Sequence, residues 1–234
     1  MNQTKIEWTD MSWNPCTGCS KISSGCTNCY AKPAAEHEKR LGFVKYSKGF
    51  QLNTHPYTLE QPYHWKKPRK VFVNSMSDLF HEKLKFSFIQ EVFKVMNENP
   101  QLIFQVLTKR ADILQNYAPF LTWSDNIWMG VTVESDQYYS RIDALKTTGA
   151  KIKFLSCEPL LSSIKNMPIS GIDWVIVGGE SGAKAKARPI QDDWVREVRD
   201  NCLAANIPFF FKQFGGIRKK QSVLDGKEHK EFPK

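Results

Sequence analysis

The 234-residue chain is 41% hydrophobic and 12% aromatic, a composition that supports a folded core and excludes a disordered or collagen-like protein. No stretch approaches the roughly 20 apolar residues that cross a bilayer, and MNQTKIEWTD lacks the basic-then-apolar pattern of a signal peptide. The formal net charge of +9 favours an anionic partner without choosing among nucleic acid, nucleotide and other anions.

These features predict a protein of the reducing cytoplasm, without a membrane segment, in which clustered cysteines are ligands rather than disulfides. Near the N-terminus, Asp10 to Trp13 reads as a first strand. Directly after it, WNPCTGCSKISSGCTNCYA carries Cys16, Cys19, Cys26 and Cys29, four of the six cysteines in the chain. Tyr30 to Leu41 reads as a helix leaving that loop, with Pro33 tolerated in its first turn. Residues 43–70 form an insertion with six Lys/Arg (Lys45, Lys48, Lys66, Lys67, Arg69 and Lys70) against Glu60 alone. Phe43, Tyr46, Phe50, Tyr57, Tyr63 and Trp65 are interleaved. Such a mixture suits a phosphate backbone with stacked bases, and equally a solvated face that keeps a protein soluble.

Beyond the insertion one theme recurs. Short apolar runs fall at Val71–Val73, Ile103–Leu107, Ile127–Val131, Ile152–Leu155, Trp174–Val177 and Phe209–Phe211, often followed by a segment of helical period. Continuous rather than alternating apolar character predicts strands covered on both faces, as in parallel sheets. Ser87 is the expected N-cap of a helix bearing Phe88, Ile89, Val92, Phe93 and Met96. Asp192 or Asp193 is expected to cap another bearing Trp194, Val195, Val198 and Cys202. Strand–helix alternation with short links predicts an α/β fold, a TIM-like or partial barrel of about six to eight mostly parallel strands. A doubly wound open sheet is the competing topology. The expected organisation is one domain over 1–216, followed by a basic tail over 217–234.

Each apolar run ends in a polar cluster. These are Asn74-Ser75-Met76-Ser77-Asp78, Thr108-Lys109-Arg110, Thr132-Val133-Glu134, Ser156-Cys157-Glu158-Pro159, Gly178-Gly179-Glu180-Ser181-Gly182 and Lys212-Gln213. In β/α barrels the C-terminal strand ends share one face, which carries the active site. The candidates for chemistry there are Lys109 and Arg110 for anionic groups, with Glu158 and Glu180 as acids, bases or ligands. Gly178, Gly179 and Gly182 allow close backbone approach to a ligand. Cys157 and Cys202 read as buried small residues, and among the histidines only His81 follows a strand end.

The clustered cysteines admit several readings. Cys16-x2-Cys19 and Cys26-x2-Cys29 match the halves of an all-thiolate zinc site. Three of the four also suffice for an iron–sulfur cluster with one open iron. The first alternative is a non-catalytic zinc-stabilised nucleic-acid-binding protein using all four thiols.

WNPCTGCSKISSGCTNCYA, VFVNSMSDLFHE, FLSCEPL, WVIVGGESGAKAKARP and PFFFKQFG together resemble a family of phage and mobile-element proteins. That family is named after phage gene products thirty-seven and sixty-eight and is of unknown function. The resemblance runs from about Trp13 to Gly215 and implies a protein of a bacterial host or one that is phage-encoded. It also implies three cysteines, Cys19, Cys26 and Cys29, and sets Cys16 apart. A three-cysteine loop after the first strand of a β/α barrel is similar to the radical S-adenosylmethionine superfamily. That similarity implies a [4Fe–4S] cluster whose open iron binds S-adenosylmethionine, an external reductant, and hydrogen abstraction from a substrate. That substrate is expected to be a nucleic-acid base, a nucleotide or a protein, and the basic charge tilts the choice towards the first two. The superfamily's common spacing is Cys-x3-Cys-x2-Cys, whereas this chain has Cys-x6-Cys-x2-Cys. Its Gly-Gly-Glu motif follows the second strand, whereas Gly178-Gly179-Glu180 follows the sixth. By strand order, cofactor binding therefore falls to Ser75, Ser77 or Asp78, with Glu134 at the fourth strand end as a ribose ligand.

Overall fold

The parallel runs assemble side by side in chain order. In the computed structural model, which describes residues 4–181, 186–216 and 221–234, seven strands form one sheet. They are β1 (Met11–Trp13), β2 (Arg69–Val73), β3 (Leu102–Thr108), β4 (Ile127–Thr132), β5 (Lys153–Cys157), β6 (Trp174–Gly178) and β7 (Phe209–Gln213). All six neighbouring pairs are parallel. The sheet is curled, β1 and β7 are its two edges, and the architecture is an open half-barrel. The alternative of a doubly wound sheet, whose strand order reverses at a switch point, does not occur.

The helices are α1 (Ala31–Arg40), α2 (Phe86–Asn97), α3 (Ala111–Tyr117), α4 (Ser140–Lys146) and α5 (Asp192–Ala204). Pro33 sits in the first turn of α1, where its missing N–H costs nothing. The expected caps are displaced. Lys85 precedes α2, so Ser87 lies within its first turn. Gln191 precedes α5, so Asp192 and Asp193 lie inside it, where carboxylates favour the positive end of the helix dipole.

Two faces bury two different cores. Val71, Val73, Phe104, Val106, Met129, Val131, Leu155, Val175 and Val177 pack under the helices, together with Phe88, Ile89, Leu114, Ile142, Val195 and Cys202. The opposite face carries Phe72, Trp128, Phe154, Trp174, Ile176 and Phe210, gathered around Trp8 from the N-terminal segment. Phe232, from the C-terminal segment, packs on Trp174 with ring centroids 5.1 Å apart. The doubly apolar strands are therefore covered by helices on one side and by the two chain termini on the other.

The tail also covers an edge. Phe211 N–H donates to His229 O at 2.8 Å, and Phe210 bridges Lys230 in antiparallel fashion. A two-residue hairpin, Val223–Leu224 with Lys227–Glu228, precedes this pairing. An open parallel edge is otherwise a template for unwanted strand pairing.

The inner face changes character along the strand direction. Register places Phe154 beside Trp174 and Gly130, and the next inward layer contains Thr132, Ser156 and Ile176. The apolar layers form a floor, and the polar residues stand above it at the C-terminal strand ends.

Candidate active site

The loop between β1 and α1 lies across the C-terminal ends of the strands. Cys16 and Thr17 pair with Asn53 and Thr54 of the 43–70 segment, and Gly18 bridges Ser77 beyond β2. Trp13 Nε1 donates to Thr58 O at 2.9 Å, and His55 N–H donates to Pro15 O at 2.7 Å. The 43–70 segment thus braces the cysteine loop. Tyr63 and Trp65 pack against the core, while Phe43 and Tyr57 stay exposed.

A cavity of about 220 Å³ opens between this loop and the strand ends. Cys19, Cys26 and Cys29 line it, with Tyr30, Phe50, Trp8 and Phe72 supplying apolar wall and floor. Cys16 is fully buried in the helix-side core. Its Sγ lies 3.2 Å from Ser77 Oγ and accepts from Asn74 Nδ2 at 3.2 Å. Burial pushes the Cys16 thiol up to about 12, against those hydrogen bonds.

The three cavity thiols have unequal surroundings. Burial, followed by the Asp78 charge, raises Cys19 to about 11, although Arg110 Nη1 donates to its Sγ at 3.5 Å. Burial also opposes ionisation of Cys26, but backbone and Ser23 hydrogen bonds and the Lys109 ammonium overcome it and lower its pKa. Among the described residues, no three His, Cys, Asp or Glu side chains form a group able to hold a metal ion. A tetrahedral zinc site needs sulfurs about 3.8 Å apart, given Zn–S bonds of about 2.3 Å; an iron–sulfur cluster spreads its thiolates over several irons. Cys19, Cys26 and Cys29 nonetheless place three soft sulfur donors on one cavity, the donor type that zinc and iron–sulfur centres share.

Most of the charged strand-end candidates hold this loop in place. Arg110, after β3, donates to Asp78 Oδ2 at 3.0 Å, Glu82 Oε2 at 2.8 Å and Ser20 Oγ at 2.8 Å. Asp78 also accepts from Thr108 Oγ1 at 2.7 Å, Lys109 N–H at 3.2 Å and Phe80 N–H at 3.0 Å. Glu134, fully buried after β4, accepts from Ser23 Oγ at 2.6 Å and Arg141 Nη1 at 2.7 Å, and pairs with Lys109 Nζ at 2.9 Å. Its carboxylate passes so close to Gly25 that an added Cβ would lie 2.4 Å from Oε1. Glu180, after β6, accepts from Asn28 Nδ2 at 2.9 Å and Arg188 N–H at 2.7 Å, and pairs with the Arg188 guanidinium. Arg188 in turn donates to Ser24 O at 2.9 Å.

Other candidates are similarly engaged. Ser75 Oγ donates to Asn14 Oδ1 at 3.2 Å, and Ser77 Oγ donates to Cys16 O at 2.9 Å. His81 is buried, within 3.1 Å of Ser20 Oγ, and burial lowers its pKa. Gly179 borders the cavity, but its small size serves the backbone: an added Cβ would lie 1.9 Å from Phe214 O. Gly178 ends β6, with its carbonyl accepting from Leu160 N–H at 3.0 Å. Gly182 lies outside the described residues. Cys157 and Cys202 are buried in the helix-side core.

Glu158 is different. It lines the cavity, as does Lys212 of β7, whose Nζ lies 2.8 Å from Glu158 Oε1. Among the described residues, neither side chain forms a hydrogen bond or ion pair with the cysteine loop. Sequence reasoning passed over Lys212 as a site residue, along with Ser23, Asn28, Arg141, Arg188 and Trp8. Arg188 and Asn28 sit inside the motifs already singled out, whereas Arg141 on α4 gives no signal of its own.

Searches of curated proteins and of solved structures find no match to this chain. A family model described as a protein of unknown function (DUF5131) matches residues 3–233. The chain belongs to that family.

Proposed function

We propose that this protein is a radical S-adenosylmethionine-like iron–sulfur enzyme, with Cys19, Cys26 and Cys29 as cluster ligands and a nucleotide or nucleic-acid base as substrate. The observation that carries the reading is the separation of the thiols. Three of the four line a cavity at the C-terminal end of a parallel half-barrel, and the fourth is withdrawn into the core. When bound, the cluster with S-adenosylmethionine and a reductant supplies one-electron cleavage of the cofactor and hydrogen abstraction from substrate.

The chain's own part is positional and electrostatic. Arg110 donates to Cys19 Sγ and grips Ser20, which orients this thiol and partly offsets the burial and Asp78 charge that keep its pKa raised. Lys109, fixed by Glu134, adds positive charge near Cys26. Phe50, Tyr30, Trp8 and Phe72 give the cavity apolar lining, a surface that suits the protection of reactive intermediates from quenching. Ser156, Glu158 and Lys212 remain as the polar wall opposite the loop.

The test is anaerobic purification with assays for iron, sulfide and zinc and a visible spectrum. Iron and sulfide should reconstitute in the native chain and in Cys16→Ala, and should be lost in Cys19→Ala, Cys26→Ala and Cys29→Ala. Stoichiometric zinc that depends on all four cysteines, with no iron–sulfur absorption, would instead establish the zinc-stabilised nucleic-acid-binding alternative. If a cluster forms, cleavage of S-adenosylmethionine under strong reductant is the second requirement.

A further inference from the structure

The cysteine loop engages Arg110, Glu134 and Glu180 directly, and Asp78 through Arg110, and leaves one charged wall of the cavity for a ligand. Glu158 and Lys212 stand there at 13% and 18% side-chain exposure, 2.8 Å apart. Glu158 Oε2 accepts from Ser156 Oγ at 3.2 Å. Glu158 Oε1 is buried and, among the described residues, has no partner beyond the ion pair. Trp8, Phe72, Leu107 and Ile6 border the same cavity, and among the described residues the buried Trp8 indole N–H has no partner. A strong acceptor and a strong donor are therefore adjacent beside an aromatic surface.

We propose that this wall reads the lactam edge of a base, the adjoining C=O and ring N–H of guanine, uracil or thymine. The Glu158 carboxylate accepts from the ring N–H, Lys212 Nζ donates to the exocyclic oxygen, and Trp8 and Phe72 border the ring with apolar surface. Flipped or unpaired bases are held in this manner, by edge hydrogen bonds together with aromatic contact. Adenine and cytosine present the reverse pattern. Their unprotonated ring nitrogen is an acceptor facing a carboxylate, and their exocyclic amine is a donor facing an ammonium. Both mismatches set acceptor against carboxylate and donor against ammonium in a partly buried site.

The inference rests on the proposal that the substrate is a nucleotide or nucleic-acid base, but not on any metal. It is tested on the metal-free full chain by calorimetric titration with GMP, UMP, AMP and CMP, and with short oligo-U and oligo-A strands. GMP and UMP should bind about tenfold or more tightly than AMP and CMP, the discrimination expected of a two-point edge contact. Glu158→Gln and Lys212→Gln, with circular dichroism and melting confirming the fold, should each shrink that preference to within about threefold. Oligo-U binding above UMP assigns the site to bases in a strand; UMP above oligo-U assigns it to free nucleotides. Equal or tighter binding of AMP or CMP, no binding of any nucleotide, or a preference that survives both substitutions overturns the inference. Iron and sulfide content is assayed separately, so failure of the cluster reading and failure of base recognition are distinguishable.

Discussion

The cavity thiols differ in how readily each gives up its proton, and the difference comes from neighbours placed by distant parts of the chain. Cys26 has a lowered pKa because hydrogen bonds and the Lys109 charge outweigh burial. Cys19 is raised to about 11 and Cys16 to about 12, in both cases first by burial. Below its pKa a thiol carries only a small thiolate fraction, so a raised value suppresses reaction near neutrality. In the metal-free, reduced protein, iodoacetamide near pH 7.5 should therefore label Cys26 at least about tenfold faster than Cys19, after allowing for the lower intrinsic nucleophilicity of a low-pKa thiolate. Cys16 should stay unlabelled until the chain unfolds. Peptide mass spectrometry over a time course reads the order, and equal rates at Cys19 and Cys26 would contradict the assigned environments.

At the scale of elements, the loop between β1 and α1 is held to three strand ends. Arg110 anchors its start, Glu134 its middle and Glu180 its end. Breaking a buried pair costs about 3–5 kcal/mol because the remaining charge is stranded. Glu134→Gln should accordingly lower stability by about 3 kcal/mol at pH 7, by leaving Lys109 and Arg141 without their carboxylate. The sign of its pH dependence follows from the depressed folded pKa, which arises from Lys109, Arg141 and Ser23 overcoming burial. The stabilisation is fully present above the unfolded glutamate value of about 4.3 and fades as pH falls towards the folded value. Melting curves of native and Glu134→Gln protein should thus converge below about pH 4. A gap that stays constant as the pH is taken well below about 4 would show that Glu134 acts through packing rather than charge. These anchors were not legible in the sequence. Ser23 meets Glu134 across 111 positions and Asn28 meets Glu180 across 152, and no local pattern reports a contact of that range. Strand-end charge was legible, but its partner was not.

For the whole molecule, the two termini complete what the sheet leaves open. Trp8 and Phe232 cover the face opposite the helices. Lys230 Nζ lies 2.5 Å from Glu7 Oε2, and Trp174 Nε1 donates to Glu231 O at 2.8 Å. Phe232→Ala should cost about 2 kcal/mol, less than the roughly 3–5 of a fully buried phenylalanine because its ring is half-buried. Chemical denaturation measures this, and an unchanged midpoint would mean the tail only rests on the surface. The amino-acid sequence by itself determined the strands, their parallel sense and the face on which their polar ends gather. Continuous apolar runs separated by helical periods admit few other arrangements, because each run must be covered on both sides. It also determined that a cysteine loop enters at that face. Only the tertiary structure decided which thiols meet the cavity, since Cys16 and Cys19 differ by three positions yet point into different surroundings. It also decided that the sheet remains open, with the termini rather than further strands filling its hollow. The physical reason is the same in each case. Periodicity encodes which side of an element is apolar, whereas burial, pKa and charge pairing are set by atoms that chain order does not place side by side.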